Sequence, residues 1–148
     1  MKNIPTDHLC VGISLYCPDW LKVNPPDNFL FIENNFLAPK KELLEGIKSG
    51  SITKDQYTER YKDQIRHCFD RFPEFDDFHD WIDQLDKEFS DKYSAVVLLC
   101  YEKPGDFCHR NILREMLNYE YHIRCDEFPY NDKMEDKLKK DPKPIALF

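Results

Sequence analysis

The chain has 148 residues, the size of one domain, and its 14% aromatic content with only four glycines excludes a fibrous or disordered protein. Its formal net charge of −7 disfavours non-specific binding to nucleic acid. No apolar run approaches the length of a membrane span, and residues 1–7 lack a signal-peptide core. We therefore expect a cytoplasmic protein that does not bind membranes and that keeps its six cysteines as reduced thiols.

Taken in chain order, the predicted elements alternate between strands and helices. An apolar strand over residues 9–15 precedes a loop, and residues 29–32 form either a short strand or a packed loop. Helices are predicted from Pro39 to Gly50 and from a capping box at Thr53 to Phe72. A further helix follows over residues 78–89, where apolar residues recur three and four apart.

A second apolar strand over residues 95–100, a helix over 108–118 and a short strand over 121–125 complete the predicted domain. This order predicts a small α/β fold with a mainly parallel sheet of few strands, flanked by helices. We place one domain over residues 1–125. Residues 126–148 are a predicted C-terminal tail, extended and partly docked, because their charged stretch ends on an apolar segment.

The predicted functional site follows the strand over residues 95–100, because ligands bind beyond the carboxyl ends of strands in open α/β sheets. The next helix begins with Cys108, His109 and Arg110. Its first turn favours an anion, which Arg110 could bind, and it favours the reactive thiolate form of Cys108. His109 could act as an acid, base or hydrogen-bond donor. Neighbours on a helix point about 100° apart, so adjacency alone does not predict contact between Cys108 and His109.

Two further candidates lie on the loops beside this helix. Glu102 could act as a general base or nucleophile, or it could instead pair with Arg110 or cap the helix. Tyr16 follows the first strand, where its ring could either stack on a ligand or pack as part of a lid. The ends of both buried strands should lie at one edge of the sheet, so their loops should form two walls of one cleft.

A metal or thiol site is an alternative. Cys100, Cys108 and His109 are residue types that bind zinc, with Cys17 or Cys125 as candidate fourth ligands. Their spacing matches no common structural zinc site, and Cys100 is expected to point into the core. We therefore assign no metal ligand and identify no cofactor from the sequence.

Residues 98–110, LLCYEKPGDFCHR, resemble the signature of the bacterial family known as domain of unknown function 488. Residues 37–44 and 52–61 resemble its middle helices, and the likeness extends over about residues 9–125. The resemblance implies a Rossmann-like fold and a shared site at Glu102, Cys108, His109 and Arg110. It also brings Ser14, in the opening strand and loop, among the candidate ligand-binding residues. It implies no established activity.

Three functional hypotheses follow from these patterns. The leading one is an enzyme or sensor that binds a small phosphate- or nucleotide-like anion. The second is a non-catalytic interaction protein that uses its acidic helix and residues 145–148 as contact surfaces. The third is a thiol or zinc protein. The sequence does not decide whether the chain is an enzyme, and it does not predict the oligomeric state.

Overall fold

The computed structural model of the chain describes residues 4–31, 35–100, 107–127 and 145–147. Within these ranges the strands are β1 (His8–Gly12), β2 (Phe29–Phe31), β3 (Ala95–Leu99), β4 (Cys125–Glu127) and β5 (Ile145–Leu147). The helices are α1 (Asp19–Val23), α2 (Lys41–Ser49), α3 (Lys54–Arg66), α4 (Phe78–Phe89) and α5 (His109–Tyr119).

The five strands form one sheet in the order β2-β1-β3-β5-β4, and each neighbouring pair is parallel. β1 and β3 pair along their whole length, from His8 with Ala95 to Gly12 with Leu99. Their carboxyl ends therefore lie side by side at one edge, as the sequence predicts. A parallel sheet flanked by helices confirms the predicted Rossmann-like α/β fold.

Alternation of side chains along the strands builds two hydrophobic clusters. Leu9, Val11 and Leu98 point to the face that packs against the helices, and they form the main core. On the opposite face, Cys10 and Val97 belong to a smaller cluster with other apolar residues. Leu98 and Cys100 are both in the main core, so the helix-covered face continues past the end of β3.

Local signals fix the helix ends. The capping box predicted at Thr53 is present: Thr53 Oγ1 accepts the Gln56 amide at 3.1 Å, and Gln56 Oε1 accepts the Thr53 amide at 2.8 Å. Gly50 caps the carboxyl end of α2, directly after Ser49, and its φ of 76° lies in the left-handed region that favours glycine.

Four elements differ from the sequence prediction. The helix predicted to reach Phe72 ends at Arg66, after which the backbone amides bond to carbonyls three residues back instead of four. The loop predicted after the first strand contains the short helix α1, and β1 ends at Gly12 rather than residue 15. The strand predicted over residues 121–125 begins only at Cys125, because His122 has a φ of 55° and an extended strand cannot contain that conformation.

The last described segment, β5, lies between β3 and β4 in the sheet. Residues 126 and 127, which were predicted to lie in the tail, belong to β4. The division into a domain over residues 1–125 and a tail over residues 126–148 stays a prediction. Across the described ranges, none of the helices has the length and apolarity needed to cross a bilayer.

Candidate functional site

His109 is the first residue of α5 and is only 3% exposed. Its Nε2 lies 3.0 Å from the carbonyl oxygen of Ile13. A carbonyl can only accept, so Nε2 carries the proton of this hydrogen bond. The Ile13 amide in turn donates to the carbonyl of Leu99 at 2.8 Å. Ile13, the residue that follows β1, therefore connects the end of β3 to the start of α5 through its backbone.

The other ring nitrogen of His109 faces two thiols. Nδ1 lies 3.7 Å from Cys108 Sγ and 3.9 Å from Cys100 Sγ, and the two sulfur atoms are 3.0 Å apart. All three side chains are buried. In the neutral ring, protonation at Nε2 leaves the lone pair of Nδ1 directed at the sulfur atoms. We call Cys100, Cys108 and His109 the thiol-imidazole cluster.

Cys108 is the N-cap of α5 rather than a residue of its first turn. Its backbone is extended, with φ −146° and ψ 142°, and its sulfur accepts the amide of Arg110 at 3.4 Å. The 100° rotation between helical neighbours does not apply to an N-cap residue, which explains why Cys108 and His109 are in contact. The hydrogen bond with Cys108, followed by burial, raises the pKa of the Cys100 thiol well above its usual value.

Arg110 and Arg114 lie one turn apart on α5, so both occupy the same side of the helix. Arg110 is only 4% exposed. In the described part of the chain, the Nε atoms of both arginines are buried without a hydrogen-bond partner. The start of α5 therefore carries two cationic side chains whose hydrogen-bonding capacity is not fully used by the described residues.

Two of the remaining predicted residues, Ser14 and Tyr16, follow β1 in the chain. Ser14 directly follows Ile13, and its Oγ is buried without a hydrogen-bond partner among the described residues. Tyr16 is 65% exposed. Glu102 lies outside the described residues, as does most of the loop that was expected to form the second wall of the cleft.

A cleft of about 520 Å³ lies between the loop after β1, the chain before α2, and the end of α3. Its lining includes Leu15, Lys40, His67 and Arg71. Two basic side chains, Lys40 and Arg71, and two carboxylates, Asp63 and Asp70, line the cleft, so its charges balance. His67 also lines it, within ion-pair distance of both carboxylates. None of the five predicted site residues that the structure describes lines this cleft.

Residues 33–121 match a family model described as the active DUF488-N3 subclade. The chain belongs to the DUF488 family. The matched region covers α2 to α5 and includes the whole thiol-imidazole cluster. Neither the curated proteins nor the solved structures gave a significant match.

Two residues that lie beside the predicted site residues, Cys100 and Arg114, were not assigned to the site from the sequence. Cys100 was assigned to the core, and it is buried, but its sulfur also contacts Cys108. The two-residue period of β3 places Cys100 on the same face as Leu98, which is the face that α5 covers. Arg114 could have been found from its position four residues after Arg110.

Proposed function

We propose that this DUF488 protein binds a small phosphate- or nucleotide-like anion at the amino-terminal end of α5. The buried guanidinium of Arg110 is the observation that carries the proposal. A guanidinium stays charged inside a protein, and burying a charge is costly unless acceptors surround it. Within the described ranges, nothing accepts a hydrogen bond from Arg110 Nε. Phosphate or carboxylate oxygens would supply that acceptor.

Three neighbouring features support the same ligand class. The partial positive charge of the helix dipole at the start of α5 favours an anion there. Arg114 adds a second buried Nε without an acceptor on the same side of α5. Ser14 Oγ, next to the Ile13 carbonyl that holds His109, offers a hydroxyl at the same sheet edge. Two arginines one turn apart suit an anion with more than one charge, such as a diphosphate.

His109 has a positioning role in this proposal. Its Nε2–H is already bonded to Ile13 and its Nδ1 faces two thiols, so both ring nitrogens are directed at protein groups. The catalytic roles predicted for Glu102, Cys108 and His109 stay predictions. We also propose a cytoplasmic location, which the six cysteines support, because none of them is in a disulfide in the structure and a reducing compartment maintains thiols in that form.

Calorimetric titration with inorganic phosphate, pyrophosphate and nucleoside mono- and diphosphates tests the binding. We expect at least one of these anions to bind in a salt-sensitive manner. Arg110→Gln should weaken that binding at least about tenfold, because a charged hydrogen bond contributes about 1.5–3 kcal/mol. Arg60→Gln is the charge-matched control, because Arg60 is exposed on α3. Equal affinities for the two variants, or no binding across the series, would contradict the proposal.

A further inference from the structure

We propose that Cys100, Cys108 and His109 form a binding site for a thiophilic divalent metal ion of the zinc type. One ligand atom from each residue lies within 4.8 Å of the other two, and all three residues are buried. Cysteine sulfur and imidazole nitrogen are the ligands that zinc prefers in proteins. This inference goes beyond anion binding, because it depends on the thiol-imidazole cluster and makes no use of the guanidinium of Arg110.

The distances are close to those of a tetrahedral site. Bond lengths of about 2.3 Å to sulfur and 2.0–2.1 Å to nitrogen place neighbouring ligand atoms about 3.5–3.8 Å apart. The two sulfur–nitrogen distances are 3.7 and 3.9 Å. The sulfur–sulfur distance of 3.0 Å is shorter, so metal binding would separate the two thiols by less than about 1 Å.

The orientation of His109 is the second observation. A metal-binding histidine usually donates its other ring N–H to a carbonyl or carboxylate, which fixes the tautomer and directs the lone pair at the metal. Here the Ile13 carbonyl accepts from Nε2, and Nδ1 faces both sulfur atoms. The ring of Tyr61 packs edge-on against the imidazole, with centroids 5.5 Å apart, and restricts its rotation.

The charges balance on binding. A divalent ion displaces one proton from each of the two thiols, and both protons pass to the solvent. The resulting pair of thiolates neutralises the ion, so the buried group carries no net charge. Among the described residues, no fourth Cys, His, Asp or Glu joins the cluster. The two cysteines and the histidine would supply three of the four ligands of a tetrahedral zinc site.

Cobalt(II) titration of the full-length protein tests the inference, because tetrahedral cobalt–thiolate sites absorb strongly in the near ultraviolet and visible. The protein is first reduced with a phosphine and kept anaerobic, and mass spectrometry confirms that its thiols are free. We expect charge-transfer and d–d bands that saturate at one cobalt per chain and disappear on addition of zinc. Absence of these bands from fully reduced wild-type protein would overturn the inference, and this readout requires no variant.

Variants assign the ligands. Charge-transfer intensity scales with the number of thiolates, so Cys108→Ser should halve the intensity per bound cobalt, and Cys100→Ser should do the same. His109→Asn should weaken binding and shift the d–d bands. Cys68→Ala is the matched control, since Cys68 is a buried free cysteine outside the cluster, and it should leave the spectrum unchanged. If Cys68→Ala lowers the intensity as much as Cys108→Ser, the site is elsewhere and the inference is wrong.

Discussion

Replacing Tyr61 with phenylalanine tests how the core holds the site together. Tyr61 is fully buried on α3, its hydroxyl donates to the carbonyl of Leu37 at 2.7 Å, and its ring contacts His109. Phenylalanine keeps the ring but removes the donor, so the carbonyl of the equally buried Leu37 is left without its tyrosine partner. Leaving a buried acceptor unsatisfied costs about 1–3 kcal/mol.

That cost should appear as a lower urea midpoint with an unchanged slope. For a chain of this size, about 1–3 kcal/mol corresponds to a decrease in Tm of about 2–12 °C. Tyr93→Phe is the matched control, because Tyr93 also donates to a backbone carbonyl, that of Asp27, at 2.9 Å in an exposed position. Water can replace that bond, so we expect a cost below about 0.5 kcal/mol.

The comparison of the two variants decides the outcome. Similar losses of stability for Tyr61→Phe and Tyr93→Phe would show that burial of the acceptor does not set the cost. A neutral Tyr61→Phe variant would refute the account more directly, since the core would then tolerate the unsatisfied carbonyl of Leu37. In the second case the short hydroxyl–carbonyl contact would not be a determinant of stability.

Three further predictions concern helix ends. Thr53→Ala removes the N-cap of α3 and should lower the free energy of unfolding, measured by chemical denaturation, by about 0.5–2 kcal/mol. Thr58→Ala is the control and should lower it clearly less, because it removes only an exposed hydroxyl that bonds within α3. Gly50→Ala should lower the free energy of unfolding by about 1–2 kcal/mol. The strain of the positive φ is the whole cause, because no atom lies within 4 Å of the added Cβ. A variant as stable as the wild type would contradict this. The hydrogen bonds from Arg66 hold the pKa of Glu120 below its usual value. This exposed ion pair therefore stabilises the fold above about pH 4.3 by less than about 1 kcal/mol. The stabilisation is lost as the pH falls through the lower pKa of the folded state. The destabilisation by Arg66→Gln should therefore disappear in acid, and a pH-independent loss would exclude the ion pair as its cause.

Local signals made much of the fold predictable. The capping box at Thr53 and the glycine at position 50 marked helix ends that are confirmed. The short helix α1 was missed because Leu21 is its single buried residue, which is too little for a periodic pattern. The displacement of β4 depends on the left-handed backbone of His122, a conformation in which histidine is enriched but which only a minority of histidines adopt, so the sequence does not reveal it.

The placement of the candidate site residues around the start of α5 was predictable, but their contacts were not. The strand–loop–helix order placed Cys108, His109 and Arg110 beyond the end of β3, where they lie. Whether Cys108 meets His109 depends on the extended backbone of an N-cap residue, which the helix pattern alone does not reveal. The bond from His109 to Ile13 joins residues far apart in the chain, and no local pattern encodes such a contact.

The position of β5 has a consequence for the order of folding. β4 precedes β5 in the chain, yet among the described strands its sheet partner is β5, which itself pairs with β3. β4 therefore cannot complete its backbone pairing until the later segment has been inserted. Meanwhile the side-chain amide of Asn118 bonds both the N–H and the carbonyl of Cys125, at 2.7 and 2.8 Å. Asn118 thus holds the start of β4 in place, while the backbone pairing of β4 depends on a segment that follows it in the chain.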